Sequence, residues 1–195
     1  MSENYEWSRF WCPSDVEYHL TSQGFLIEPK HEFSLNSHLI TDPMRLEENC
    51  IILLGEPGMG KTIAMEKYKQ ELDQILDNSE DKVLLINLRS IGNEVHFKNS
   101  IFENRIFQEW TNGNHKLYLL LDSFDECYLR AGVISGLLID NIKEYSLERL
   151  YIRIACRTGY WPSSLQDQLI NIFGIDNIST YTLTPLRKQD IENAA

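Results

Sequence analysis

Apolar positions in this chain follow two alternating rhythms. Short runs, Cys50 to Leu54, Val83 to Ile86, Leu117 to Leu121, Leu150 to Ala155 and the weaker Ser179 to Leu183, have the length of strands. Between them apolar residues recur at three- and four-residue steps, the spacing of an amphipathic helix. Met65, Tyr68, Leu72 and Ile75/Leu76 predict a helix from Lys61 to about Asp77; Phe97, Ile101/Phe102, Ile106 and Trp110 mark a second stripe. Ile134, Leu138, Ile142 and Tyr145 mark a third, and Leu165, Leu169 and Phe173 a fourth. Polar turns at 78–81 and 112–114 separate them. After Pro162, Ser163-x-x-Gln166 reads as a capping box, and Thr184-Pro185 as the N-cap and first residue of a last helix. Strands alternating with helices predict an α/β fold: a parallel five-stranded sheet with helices on both faces and right-handed crossovers.

The first 48 residues do not share this rhythm. Tyr5, Trp7, Phe10, Trp11 and Tyr18 crowd the beginning without a period. They read as an arm that packs its rings onto the domain, or alternatively as a docking surface, where aromatic anchors are favoured. Phe25-Leu26-Ile27 and Leu39-Ile40 are short apolar clusters ahead of the first strand.

Chemistry enters between the first strand and the first helix. Gly55-Glu56-Pro57-Gly58-Met59-Gly60-Lys61-Thr62 matches the P-loop pattern in the strand–loop–helix setting it requires. Backbone N–H groups can wrap phosphate oxygens only where glycine leaves room, and the helix N-terminus adds its positive dipole end. Lys61 supplies charge to the β/γ-phosphates, and the Thr62 hydroxyl completes a Mg²⁺ shell. The upstream clusters Phe25-Leu26-Ile27 and Leu39-Ile40 are then the candidates for contact with the nucleotide base. The third strand ends abruptly in acid, Leu117 to Asp122 followed by Ser123-Phe124-Asp125-Glu126. An apolar run with an acidic tip is the pattern of a central strand facing a site. Asp122 suits the metal-holding acid. Asp125 and Glu126 are candidates for the base that orients and deprotonates water, with Glu126 preferred. Arg157 follows the fourth strand, where it either reaches a γ-phosphate or pairs with a nearby acid.

Composition narrows the partners. With 195 residues and 43% hydrophobic content there is material for one core. Twenty-nine acidic against 18 basic residues, a net charge of −11, argue against a grip on a nucleic-acid backbone. No run of 18 apolar residues predicts a membrane span, and the start lacks signal-peptide character. Four scattered cysteines without C-x-x-C read as reduced thiols of a cytoplasmic protein, and five histidines show no zinc spacing.

One strand intervenes between the P-loop and the acidic strand, and an acid follows the metal aspartate. That resembles the additional-strand, catalytic-glutamate division of P-loop NTPases, whose sheet order is 5-1-4-3-2. The absence of Asn-Lys-x-Asp favours ATP over GTP. Within that division GEPGMGKT, LLLDSFDE, IACRTGYW and TLTPLRKQDI resemble the P-loop, acidic strand, sensor-arginine strand and lid entry of STAND proteins, particularly NACHT-type ATPases of bacterial defence and animal innate immunity. Ser123 stands where that family usually has glycine. The resemblance implies a switch that rests with ADP, oligomerises with ATP, and works with effector and sensor domains in defence against phage or another intracellular trigger. It divides the chain into an arm or linker (1–47), an NTPase core (48–184) and the start of a helical lid (185–195), a fragment or a stand-alone core. A continuously cycling remodelling ATPase and a structural ATP-binding module are the other readings.

Overall fold

Strand-forming and helix-forming segments alternate because each strand has two faces to cover. In the computed structural model, which describes residues 8–29 and 34–194, β1 is Trp11–Pro13, β2 Cys50–Leu54, β3 Lys82–Asn87, β4 Leu117–Asp122, β5 Leu150–Cys156 and β6 Ile178–Leu183. The helices are α1 Lys61–Ile75, α2 Glu94–Ile101, α3 Arg105–Asn112, α4 Ala131–Ile142, α5 Ser163–Phe173 and α6 Lys188–Ala194.

The sheet runs β1-β6-β2-β5-β4-β3. Its five strands from β2 onward are mutually parallel and stand in the 5-1-4-3-2 order, but the sheet itself is six-stranded and mixed. The extra strand is β1, antiparallel to β6, with Trp11 opposite Leu183. It corrects the expectation of five strands. Edge strands invite further pairing, and a short strand ending at Pro13 closes this one off.

Alternation along the strands sorts the core. Cys50, Ile52 and Leu54 face one cluster with Leu119, Leu121, Ile152 and Ile154, covered by α2 to α5. Ile51 and Leu53 face the other with Leu120 and Ala155, covered by Met65, Tyr68 and Leu72 of α1 and by Trp11 and Met44. Phe10 and Trp11 are buried against the domain, whereas Tyr5 and Trp7 lie outside the described residues.

Arg153 stands in β5 where the alternation asks for an apolar residue, and it is 1% exposed. Its guanidinium donates to the carbonyls of Met44, Leu46 and Glu48 at 2.9–3.0 Å. An irregular backbone segment laid over a sheet must pair its carbonyls somewhere, and a buried arginine serves three at once.

Three local expectations change. The stripe from Phe97 to Trp110 is two helices: Asn104 breaks it and caps α3, its Oδ1 accepting the Ile106 N–H at 2.9 Å. Both halves face the same cluster, so the apolar spacing runs through the break. Ser163 makes no capping box, since it is the first helical residue and Gln166 instead accepts from Trp161 Nε1 at 2.8 Å. Thr184 caps no helix either; it is fully buried, its hydroxyl donating to the Phe10 carbonyl at 2.9 Å, and α6 begins at Lys188.

Candidate functional site

Parallel pairing brings the C-terminal tips of the strands to one edge. Leu54 lies opposite Cys156, and Asp122 opposite Asn87. Everything that follows these residues gathers over that edge.

After Leu54 the chain turns through Gly55 to Gly60 into α1. Gly58 and Gly60 have φ of 74° and 98°, backbone that L side chains rarely adopt. Gly55 is needed for a different reason: a Cβ there would lie 3.1 Å from Cβ of Leu183 on the neighbouring strand. Glu56, Pro57 and Gly58 are exposed at the crest of the loop, and Met59 and Gly60 half-buried. Lys61 folds back over it, Nζ donating to the carbonyls of Gly55 at 2.5 Å and Glu56 at 3.0 Å. Burial lowers the lysine's pKa, and the Asp125 carboxylate opposes that.

Thr62 and Asp122, 60 positions apart, meet here: Thr62 Oγ1 donates to Asp122 Oδ2 at 2.9 Å. Asp122 is 3% exposed and also accepts from the Ser123 hydroxyl at 3.1 Å. A hydroxyl and a carboxylate are hard oxygen donors of the kind Mg²⁺ takes, with phosphate and water oxygens completing its shell. Among the described residues no three His, Cys, Asp or Glu side chains converge as a metal group.

Ser123 adopts φ 57°, ψ 46°, the left-handed region, and is the only non-glycine described residue with positive φ. That conformation turns the chain sharply from β4 into the short 3-10 turn Phe124–Glu126 and explains why glycine suits the position. Ser123→Gly should leave stability nearly unchanged, since relief of strain offsets the lost bond to Asp122. Ser123→Val should cost about 1–3 kcal/mol. Urea unfolding midpoints check this; equal midpoints for both variants would contradict it.

The two acids after Ser123 occupy different surroundings. The Asp125 side chain is 4% exposed; its Oδ1 accepts the Arg157 backbone N–H at 2.9 Å and its Oδ2 faces Arg157 Nε at 3.0 Å. Behind it lies Cys156, whose thiol is pushed up to about 12 by burial and then by Asp125 itself, so it stays protonated. Glu126 is 28% exposed, with Arg157 Nη2 at 2.9 Å from Oε1 and Arg89 Nε at 3.3 Å from Oε2. Arg157 therefore pairs with both acids. The Glu126 hydrogen bond is the first cause of a raised Arg157 pKa.

Arg89 is the participant that sequence reasoning missed. It follows β3, in the 3-10 turn Leu88–Ser90. The available signal was position: a residue just past a strand tip that adjoins the acidic strand. All four cysteines are free and buried, and among the described residues no helix is long and apolar enough to cross a membrane.

No family model and no curated protein matches the chain. Among solved structures, PCH-2 of C. elegans is similar at 21% identity and a TM-score of 0.38, over 69% of this chain and 35% of that one. A structure of Drosophila ORC bound to AT-rich DNA and Cdc6 is similar at 14% identity and a TM-score of 0.45, over 75% of this chain and 54% of that one. This chain thus spans about a third and about half the length of those two.

Proposed function

We propose that this chain binds Mg-ATP and hydrolyses it slowly, as the core of a nucleotide-controlled switch. The observation that carries the reading is the Thr62–Asp122 hydrogen bond at the mouth of the glycine loop. It joins the two residues that would hold Mg²⁺ at the place where the loop's N–H groups and the α1 N-terminus would hold phosphate. When bound there, Mg²⁺ neutralises charge on the β- and γ-phosphates and orients them.

The remaining steps belong to the chain's own groups. Lys61 exchanges the Gly55 and Glu56 carbonyls for phosphate oxygens, so its charge reaches the anion without a long excursion. Gly55 through Gly60, with Glu56, Pro57 and Met59 at the crest, wrap the phosphates by backbone N–H. Glu126 accepts the proton of the attacking water. The greater exposure of its carboxylate supports that assignment, as does the commitment of Asp125 to the Arg157 backbone. Asp125 orients Arg157, which turns toward the γ-phosphate as charge develops there.

The sequence motifs support a finer reading: a NACHT-type STAND switch in a cytoplasmic defence pathway, with effector and sensor domains or subunits as partners and oligomerisation on activation. Calorimetry with ATP and GTP, each with Mg²⁺ and with EDTA, tests the nucleotide assignment. Tighter binding of ATP that depends on Mg²⁺ is expected; binding of neither nucleotide overturns it.

A further inference from the structure

Glu126 is held from two sides by arginines that come from different strands. Arg157 follows β5 and meets Oε1; Arg89 follows β3 and meets Oε2. Arg89 is placed by its own turn. Asn87 Oδ1 accepts the Arg89 N–H at 3.1 Å, the Ser90 hydroxyl donates to the Asn87 carbonyl at 2.8 Å, and Leu88 anchors the turn fully buried. Because Asn87 lies opposite Asp122 in the sheet, this turn sits directly beside the acidic tip. The Arg89 side chain is 74% exposed, and an ion pair so open to water contributes little to folding stability.

Its geometry suits another task. A carboxylate that is to take a proton from water needs one oxygen free and must be held by the other. In the arrangement described, both oxygens of Glu126 are engaged. When the Arg157 guanidinium turns to a γ-phosphoryl group it gives up Oε1, and that oxygen becomes the one able to accept a proton. Arg89 still holds Oε2. Arg157 and Arg89 are the two ion-pair partners of this carboxylate among the described residues, so once Arg157 has turned away a chain without Arg89 leaves Glu126 unheld, and it is drawn after Arg157 or out toward solvent.

Resting on the reading of Glu126 as the base, we infer that Arg89 is a positioning residue that holds the Glu126 carboxylate over the strand tips while Arg157 engages the phosphate. It touches no reacting atom and acts only through Glu126.

Single-turnover hydrolysis of Mg-ATP and calorimetric ATP affinity, measured on Arg89→Ala, Arg89→Lys, Glu126→Gln and the double variant Arg89→Ala/Glu126→Gln, test this. Arg89→Ala should slow hydrolysis about tenfold, the scale of a modest misplacement of a catalytic group, with ATP affinity within about twofold of the parent. Arg89→Lys should recover part of the rate, since it restores a cation. On the Glu126→Gln background, Arg89→Ala should change nothing further, because the group it positions is gone. An unchanged or raised rate in Arg89→Ala overturns the inference. So does a parallel loss of affinity, which would mean direct nucleotide contact, or an equal loss on both backgrounds. Failure of the base assignment is seen separately: Glu126→Gln alone would then hydrolyse ATP at the parental rate, and the inference would fall with it.

Discussion

Glu126→Gln is expected to retain ATP and Mg²⁺ while its hydrolysis falls about 10²–10³-fold. The substitution keeps the side chain's size and leaves an amide oxygen for one of the two arginines that flank it. What it removes is proton affinity, and general-base catalysis by a positioned side chain contributes about 10²–10⁴ in rate. The residues that would hold the metal, Thr62 and Asp122, bond to each other and not to Glu126, so metal-dependent binding should survive. Asp125→Asn should behave differently. Asp125 accepts the Arg157 backbone N–H and faces its side chain, so that variant loosens the Arg157 segment. Phosphate release measured beside calorimetric affinity separates the two. If Asp125→Asn alone stops turnover with its fold intact, and Glu126→Gln does not, the base is Asp125.

Lys61→Ala should weaken ATP binding tenfold or more. Lys61 is the only cation that reaches into the glycine loop among the described contacts, where it donates to the Gly55 and Glu56 carbonyls. A charge-assisted hydrogen bond contributes about 1.5–3 kcal/mol, which is the scale of that loss. Stability should fall only modestly, by about 1–3 kcal/mol at most: the exposed Glu56 can give its carbonyl to water, whereas Gly55 is buried and loses a partner. Calorimetry of parent and variant checks it; equal affinities would remove the phosphate-binding role of the loop.

Much of this was legible in the sequence because burial writes itself into spacing. The five parallel strands are apolar runs, and the helices that cover them repeat at three and four residues. The glycine loop was legible because its backbone has few alternatives, as the positive φ of Gly58 and Gly60 illustrates. β1 was not, since three residues carry no period and their pairing is decided by the open edge of β6. Nor was Asn104 as a break, because α2 and α3 share one core face and the apolar stripe continues across it. Arg153 looked like a strand residue with a polar lapse, and its carbonyl partners lie more than 100 positions away. For the same reason Arg89 escaped notice: nothing local ties it to Glu126, and only the register of β3 with β4 brings them together. Arg157 was visible as a residue at a strand tip, but its grip on two acids depends on the left-handed turn at Ser123 that aims them.

The Thr62–Asp122 pair and the loop beside it make up the proposed Mg-ATP hydrolysis site. Its most direct test is phosphate release from ATP with the protein in excess, followed with Mg²⁺ and again with EDTA. Slow release that requires Mg²⁺ is expected, well below about 1 s⁻¹ as for unassisted P-loop proteins. Release that persists undiminished in EDTA, or ATP that binds with Mg²⁺ yet is never cleaved, would contradict it.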